Sequence, residues 1–321
     1  MSAAPDARPV VFRHRAEFAA LRAALAGLGA LPWGAAAAVG ASLGRAGHRP
    51  LGIRRDVVEA QLAASFPEWP PERVREVAAA SYASLGRTTV EAALLPALGA
   101  RGVLGLFAEV DGWSAMEAAR AEGRGVILVS GHLGNWELGG AFLAARGLPF
   151  DGIARQQENP LFDAFVTRTR ERIGMRIVWD GDAVRRTPRA LKDGRVVGFL
   201  VDQGAAGLAS TWVPFFGRPA KTPRGPAVFA LRLGAPVVFA VALRRPDGRF
   251  RAVFERVPVE PTGDRERDVD AIVAAYTATL ERWVRVAPEQ YFWQHRRWKY
   301  QPEPRPADPA ATDQTAAGAV G

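Results

Sequence analysis

Apolar positions recur at helical spacing throughout the first third of the chain. Pro70 and Pro71 introduce a helix predicted over residues 72–95, because proline is favoured in a first helical turn. The apolar residues that share one face of this helix are Val74, Val77, Ala78, Tyr82 and Leu85. A second helix is predicted over residues 54–66, so we expect the N-terminal third to be entirely helical.

The pattern changes after about residue 100 to short apolar runs separated by helical segments. Residues 125–130 and 195–201 are continuous apolar runs of the kind found in buried parallel strands. Further strands are predicted over 150–155 and 176–179, with a hairpin over 236–243 and 250–257, and helices over 135–146, 160–173, 183–193, 223–233 and 267–286. Strands that alternate with helices predict an α/β fold, a central sheet flanked by helices on both faces.

Three segments follow from these patterns. We predict a helical, membrane-associating extension over residues 1–100 and a single α/β domain over residues 101–302. The last residues are rich in proline and alanine and have no periodic apolar face, which predicts a disordered tail over residues 303–321.

One uncharged stretch, residues 23–44, is long enough to cross a bilayer. It consists mainly of alanine and glycine and contains Pro32, which favours an interfacial or buried helix over a spanning one. Arg13, Arg15 and Arg22 flank an amphipathic pattern that would suit a membrane surface. A helix that simply packs on the domain explains the pattern equally well.

Composition excludes several kinds of site. The chain has no cysteine, so disulfides, thiolate metal sites, iron–sulfur clusters and cysteine nucleophiles are excluded. The formal net charge is +9, and all but three of the 42 basic residues are arginine. This charge favours acidic partners such as phospholipid head groups, an acidic carrier protein or nucleic acid, and a GC-rich coding sequence explains it equally well.

The strongest chemical candidate follows the predicted strand 125–130. His132 is the one histidine of four in such a position, and ligands of α/β sheets bind beyond the carboxyl ends of strands. Glu137 lies five residues later, about 140° away on an ideal helix, so a pair requires His132 to precede the helix and Asn135 to cap it. Glu137 would then orient the imidazole as a general base.

The same turn supplies backbone N–H groups, those of Gly134 and Asn135, for a developing oxyanion. The segment alone leaves open a histidine that caps a helix without chemistry. Motifs for a serine nucleophile elbow, a zinc-binding HExxH helix, a dinucleotide fold and a phosphate-binding P-loop are absent, and we predict no metal and no cofactor.

Other polar and aromatic residues follow predicted strands or lie in two later blocks, 212–225 and 288–300. Aromatic side chains there would line an apolar pocket and the cations would hold phosphate, although ordinary loop and core packing explains both blocks as well. The candidate substrate-binding residues are Arg155, Asn159, Asp202, Gln203, Phe216, Gly217, Arg224, His295, Arg296 and Arg297.

Together these blocks resemble the bacterial lipid A biosynthesis acyltransferase family of the lysophospholipid acyltransferase superfamily, over roughly residues 25–302. The blocks that carry the resemblance are the H-x4-E box 132–137, Arg155 with 159–160, the stretch 190–194 with 202–203 and 213–217, and the segment 287–297.

The resemblance implies a mostly parallel, glycerol-phosphate-acyltransferase-like fold. It implies transfer of a fatty acyl chain from acyl carrier protein or coenzyme A to a hydroxyl of a lipid A-type precursor, without a covalent acyl-enzyme. His132 would be the base and Glu137 its partner, while Arg155, Arg296 and Arg297 would bind acidic groups of the acceptor. The expected location is the cytoplasmic face of the inner membrane, peripheral or weakly anchored by the N-terminal helix.

Two alternatives remain at this point. The first is an acyltransferase for another lysolipid, such as a glycerophospholipid, an ornithine lipid or a phosphatidylinositol mannoside. The second is a non-enzymatic basic protein that binds a membrane surface or nucleic acid. Scattered arginines and the absence of a recognition motif argue against nucleic acid.

Overall fold

The computed structural model describes residues 9–204 and 207–302, in which helices precede and then surround a central sheet. The helices are α1 (Phe12–Gly29), α2 (Trp33–His48), α3 (Arg55–Ser65), α4 (Pro71–Leu94), α5 (Gly99–Gly105), α6 (Trp113–Ala121), α7 (Trp136–Ala145), α8 (Pro160–Arg172), α9 (Ala183–Lys192), α10 (Gly225–Leu233) and α11 (Arg265–Val286). The strands are β1 (Phe107–Asp111), β2 (Val126–Ser130), β3 (Phe150–Ala154), β4 (Met175–Trp179), β5 (Val196–Leu200), β6 (Ser210–Phe215), β7 (Arg218–Pro223), β8 (Val237–Arg244) and β9 (Phe250–Val257).

The central sheet has seven strands in the order β1-β9-β8-β2-β5-β3-β4. Every neighbouring pair is parallel except the β8–β9 hairpin. Separate apolar clusters cover the two faces of this sheet. The predicted α/β class, with a mostly parallel sheet flanked by helices, is therefore confirmed.

The predicted strands and helices of residues 125–286 are found, with bounds that differ by up to two residues. Sequence reasoning missed β1, α6 and the β6–β7 hairpin. β1 is an edge strand with only one fully buried residue, Phe107, so it lacks a continuous apolar run. The β6–β7 pair contains three prolines, which normally argue against a strand.

The uncharged stretch 23–44 forms parts of two helices rather than one, because α1 ends at Gly29 and α2 begins directly after Pro32. Gly44 of α2 contacts α4 so closely that an added Cβ would lie 2.0 Å from the Tyr82 carbonyl oxygen. No helix within the described ranges combines the length and apolar character needed to span a bilayer.

The helical segment before residue 100 also contacts the end of the described chain. Gln61 of α3 donates hydrogen bonds to the carbonyl oxygens of Trp293 (2.7 Å) and His295 (3.0 Å) and accepts one from the Arg297 N–H (2.8 Å). These bonds fix the 291–300 segment beside the carboxyl edge of the sheet. The predicted tail, residues 303–321, lies outside the described residues.

Candidate active site

The loop of residues 131–135 joins β2 to α7 and is held tightly against its neighbours. Gly134 has a φ of +66°, and a Cβ there would lie 2.1 Å from the Ala242 carbonyl oxygen. A side chain is therefore excluded at this position. Asn135 caps α7, as predicted, by accepting a hydrogen bond from the Leu138 N–H at 2.9 Å.

His132, in this loop, is paired with Asp202. The imidazole Nδ1 lies 2.7 Å from Asp202 Oδ1, and the His132 backbone N–H donates to Oδ2 at 2.9 Å. The pairing follows from sheet register: Ser130 of β2 lies opposite Leu200 of β5, and each partner comes two residues after its strand.

Asp202 is only 2% exposed and is ionised at neutral pH. Burial raises the pKa of Asp202, but the charge and the two hydrogen bonds of His132, together with the Arg297 charge, lower it to about 2. An ionised carboxylate only accepts hydrogen bonds, so Nδ1 of His132 carries the proton and Nε2 is the basic nitrogen.

The partner of the Glu137 carboxylate differs from the predicted one, His132. Glu137 lies in the first turn of α7, but its carboxylate pairs with Arg170 of α8, with Arg170 Nε 3.0 Å from Oε2 and a second, closer contact from Nη2 to Oε1. Among the described residues no hydrogen bond joins Glu137 to His132. The carboxylate that orients the imidazole comes from the end of β5 instead.

The two backbone groups expected to bind an oxyanion are also committed elsewhere. The Gly134 N–H donates to the Gln290 carbonyl oxygen at 3.0 Å, and the Asn135 N–H donates to that of Ala242 at 2.9 Å. Both donors already have backbone acceptors, so the assignment of the oxyanion site to these residues is wrong.

Of the predicted substrate-binding residues, Gln203 lies beside the imidazole, and His295 is near enough for its pKa to respond to His132. Gln203 Nε2 is 3.3 and 3.4 Å from the two ring nitrogens of His132. His295 is half-buried; burial lowers its pKa to about 4, with further lowering by His132, Arg297 and Arg54 and an opposing effect of Asp202. His295 is therefore neutral at pH 7 and can both donate and accept hydrogen bonds.

Arg297 has a structural role, contrary to the prediction that it binds substrate. It is 4% exposed and donates to the Lys221 carbonyl oxygen (2.7 Å) and to Thr222 Oγ1 (2.6 Å). Asp202 is likewise too buried to contact a substrate. Arg296, in contrast, is exposed.

Arg155 and Asn159 lie beyond the carboxyl end of β3. Arg155 is exposed and donates to Asp180 at 3.1 Å. Asn159 caps α8 and donates to the His14 carbonyl oxygen and the Glu17 carboxylate of α1. The hydrogen-bonding groups of Asn159 are thus used within the fold, which differs from the predicted substrate contact.

The remaining candidates lie around the β6–β7 hairpin. Phe216 and Gly217 form its two-residue turn, with φ values of 51° and 70°, and the Phe216 N–H donates to Glu281 at 2.6 Å. Phe216 is buried against Phe66 and Trp293 of the core. Arg224, at the end of the hairpin, donates to Glu266 at 2.6 Å. These contacts stabilise the fold rather than forming a pocket wall.

A narrow apolar cavity, here called the α7 cavity, extends between α7 and the central sheet. It encloses about 750 Å³ of empty space, counting its open mouth. Trp136, Glu137 and Arg170 belong to its lining, and the Trp136 ring centroid is 4.9 Å from that of His132. The cavity wall therefore includes a side chain that packs against the imidazole.

Glycines keep the α7 cavity open. Gly139, Gly140, Gly152 and Gly198 line it, and a Cβ on Gly198 would lie 2.5 Å from the Phe150 ring. Sequence reasoning missed this feature. Its only signal was glycine inside a strand and a helix that were otherwise apolar, a pattern typical of close backbone approach.

The described part of the chain offers no obvious set of metal ligands. Within residues 9–204 and 207–302, no three His, Asp or Glu side chains are arranged to hold a metal ion. The polar groups beside the α7 cavity are instead a histidine with an ionised carboxylate partner, which together suit proton transfer.

Sequence comparison relates the chain to a known enzyme family. The family of bacterial lipid A biosynthesis acyltransferases matches residues 11–300 of the chain. The chain belongs to this family. It is an O-acyltransferase, which confirms the predicted class of reaction and removes the non-enzymatic alternative.

Three relatives indicate the range of the family. The lipid A biosynthesis lauroyltransferase of Escherichia coli K12 is 29% identical over 279 residues, 86% of this chain and 89% of the relative. The lipid A biosynthesis palmitoleoyltransferase of the same strain is 28% identical, and the match covers 85% of this chain and 87% of the relative. A phosphatidylinositol mannoside acyltransferase of Mycolicibacterium smegmatis is 27% identical, and the match covers 72% of this chain and 75% of the relative.

Proposed function

We propose that this enzyme transfers a fatty acyl chain from an acyl thioester to a hydroxyl group of a lipid A-type glycolipid precursor. One observation carries the proposal: an imidazole oriented by Asp202 packs against Trp136, and Trp136 lines an apolar cavity. An acyl chain inside the cavity would leave its thioester carbonyl beside His132.

The proposed reaction is direct acyl transfer. Nε2 of His132 removes the proton of the acceptor hydroxyl, and the oxygen attacks the thioester carbonyl carbon. The carbon–sulfur bond then breaks, and the thiolate takes the proton from the imidazolium. Asp202 stabilises the imidazolium while it exists. The proposal includes no acyl-enzyme, because the hydroxyl of Ser130 donates to the neighbouring Gly131 carbonyl oxygen and, within the described ranges, forms no hydrogen bond with a base that would activate it.

The oxyanion is proposed to form against the first turn of α7. The backbone N–H groups of Trp136 and Glu137 precede the first helical hydrogen bond, and no acceptor for them is present among the described residues. A helix N-terminus favours negative charge. The proposed donors lie two residues later in the chain than the pair predicted from the sequence.

Glu137 and Arg170 are proposed to form a neutral rim at the mouth of the α7 cavity. Their side chains are 13% and 20% exposed, so each charge depends on the other for compensation. Burial lowers the pKa of Arg170, but the charge and hydrogen bond of Glu137, together with the charge of Asp163, more than offset this and the pKa is raised. In this role Glu137 supports the site without touching the base.

The donor and acceptor are proposed from charge. A net charge of +9 suits either an acidic acyl carrier protein or the phosphates of coenzyme A. Arg155 and Arg296 are exposed, and we propose that they contact acidic groups of the substrates, while Gln203 and His295 bind sugar or acyl hydroxyls. No nucleic-acid partner, metal or redox cofactor is part of the proposal.

The proposed location is the cytoplasmic face of the inner membrane, with peripheral association. Support comes from large apolar side chains that are exposed on and near α1 and α2, including Phe12 (86%), Leu43 (63%) and Leu51 (67%). Arg13 and Arg49 lie beside them and would meet anionic head groups.

The test compares His132→Ala with the wild type on an acyl carrier thioester and a lipid A precursor, followed by mass spectrometry of the lipid. We expect the rate to fall by about 10²-fold or more. Arg232→Ala, an exposed residue at the end of α10, serves as the folding-matched control. Turnover by His132→Ala at the control rate would contradict the mechanism.

The acceptor is tested by a panel containing a lipid A precursor, a lysoglycerophospholipid, an ornithine lipid and a phosphatidylinositol mannoside. We expect the lipid A precursor to be acylated fastest. A faster reaction with the inositol mannoside, which a relative's name suggests, would keep the mechanism and replace the acceptor.

A further inference from the structure

A second large cavity lies on another side of the 131–135 loop, between α2, α4 and the β8–β9 turn. We call it the α2–α4 cavity. It encloses about 1600 Å³ of empty space, counting its open mouth, and shares no lining residue with the α7 cavity. Five arginines and three glutamates line it, so its walls carry a net charge of +2.

Three of the five arginines are paired with carboxylates. Arg244 pairs with the buried Glu91, and Arg245 with Glu109. Arg251 lies 3.6 Å from Glu109 and also pairs with Asp111. The third glutamate of the cavity, Glu289, accepts a hydrogen bond from Gln290. Two of the three glutamates are therefore ion-paired with these arginines, but Oε1 of Glu91 has no hydrogen-bond partner among the described residues, and Glu289 is hydrogen-bonded to an amide and keeps its charge.

Arg45 of α2 and Arg87 of α4 have no such partner. Among residues 9–204 and 207–302, neither side chain makes a hydrogen bond or an ion pair. Arg87 is half-buried and Arg45 is exposed. The pKa of Arg87 is lowered by burial and then by the positive charges of Arg244 and Arg45, and the nearby carboxylate of Glu91 offsets this only in part. A cation in these surroundings is stabilised by an anion and destabilised without one.

We propose that Arg45 and Arg87 bind a phosphate monoester group in the α2–α4 cavity. Guanidinium groups match phosphate geometry and form charge-assisted hydrogen bonds with it. Two unpaired guanidinium charges would balance one phosphate dianion. The paired arginines of the same walls add favourable long-range charge.

The α2–α4 cavity is joined to the His132 loop by hydrogen bonds. Glu91, in its wall, accepts from Asn135 Nδ2 at 2.8 Å, and Gln290, also in its wall, accepts from the Gly134 N–H at 3.0 Å. A ligand held by Arg87 would therefore lie close to the loop that carries the base. If the proposed function holds, the phosphate belongs to the head group of the glycolipid acceptor.

Two sources supply the same chemistry: the head group of a phosphorylated lipid, and a free phosphate compound. The position of the cavity favours the lipid, because α2 forms one wall and exposes Val39 and Leu43 on its outer side. The experiment must therefore contain both a soluble and a membrane arm.

In the soluble arm, inorganic phosphate and glucosamine 1-phosphate are titrated calorimetrically into the purified full-length protein. In the membrane arm, the protein is sedimented with phosphatidylcholine vesicles with and without phosphatidic acid. The variants are Arg87→Gln, Arg87→Lys and the control Arg232→Gln. We expect Arg87→Gln to weaken phosphate-dependent binding by about 10- to 100-fold, Arg87→Lys to retain part of it, and the control to bind like the wild type.

Thermal unfolding separates binding from folding. Without phosphate, Arg87→Gln should be at least as stable as the wild type, because a half-buried charge that is repelled by Arg244 and Arg45 is removed. With phosphate, only the wild type and the control should gain stability. Binding in the membrane arm alone identifies a lipid phosphate, and binding in both arms identifies a general phosphate site. Wild-type protein that binds in neither arm, or Arg87→Gln that binds like the wild type, overturns the proposal.

These binding and unfolding measurements need no turnover, so they test the phosphate site independently of acyl transfer. With an active enzyme, Arg87→Gln should raise KM for a phosphorylated acceptor and leave kcat unchanged, whereas KM for the dephosphorylated acceptor should not respond.

Discussion

Replacing Asp202 by asparagine tests the assignment of the orienting carboxylate. Asp202 accepts two hydrogen bonds from one residue, at 2.7 Å from the ring and 2.9 Å from the backbone of His132. An amide has only one acceptor oxygen, so its NH2 group must face one of these two donors. The imidazole can resolve this conflict by moving its proton to Nε2, and the ring is then no longer a base at the cavity mouth.

The size of the effect follows from the same contacts. The pKa of Asp202 is about 2, against 3.8 for a free side chain, which corresponds to about 2 kcal/mol of interaction with its surroundings. Loss of most of it should lower Tm by about 4 °C. Loss of the basic nitrogen should lower kcat by about 10²- to 10⁴-fold.

The assay is steady-state acyl transfer with the wild type, Asp202→Asn and the exposed control Asp193→Asn, combined with thermal unfolding. KM should change little, because a side chain that is 2% exposed cannot touch the substrate. The opposite pattern, a raised KM with an unchanged kcat, would show that Asp202 is a substrate ligand and that the His132–Asp202 pair is not the proton-transfer device.

Three further changes give distinct results. Gly152→Leu should shift the preferred donor to shorter acyl chains, because the new Cβ fits 3.6 Å from Met175 and the side chain fills the α7 cavity. Each methylene excluded from the cavity costs about 0.8 kcal/mol of binding free energy. An unchanged chain-length profile would contradict an acyl site in this cavity. Glu137→Gln should destabilise the fold by about 3 kcal/mol, because it removes the ion-pair partner of the largely buried Arg170, whereas adding Arg170→Gln should restore most of the stability and activity. A double variant as inactive as His132→Ala would instead make Glu137 catalytic. The pKa of His295 is lowered to about 4, so neutral His295 contributes stability that is present above pH 6.5 and lost as pH falls through about 4. His295→Gln should therefore make the free energy of unfolding depend less on pH between about 4 and 6.5, as measured by denaturant titration.

Much of the fold was predictable because burial leaves a strong local pattern. β2 and β5 are buried on both faces and read as unbroken apolar runs, and α4 shows one apolar stripe after its two prolines. β6 and β7 form a separate two-stranded sheet in which proline and charged residues interrupt any regular pattern. Their pairing depends on a turn and on packing against α11, neither of which a local pattern encodes.

The candidate site was predictable only in part. The position of His132 after a buried strand, and the cap at Asn135, follow from neighbouring residues alone. Arg297 looked like an exposed phosphate ligand because its neighbours are basic and aromatic. Its burial under Lys221 and Thr222 depends on a hairpin about 75 residues earlier in the chain.

The sequence by itself determined the periodicity of the elements and the placement of one histidine at the end of a strand. The tertiary structure decided which carboxylate meets that histidine. Glu137 is five residues away but points to Arg170, whereas Asp202 is 70 residues away and adjacent in space. The reason is the parallel pairing of β2 with β5, which brings the carboxyl ends of two distant strands to one edge of the sheet.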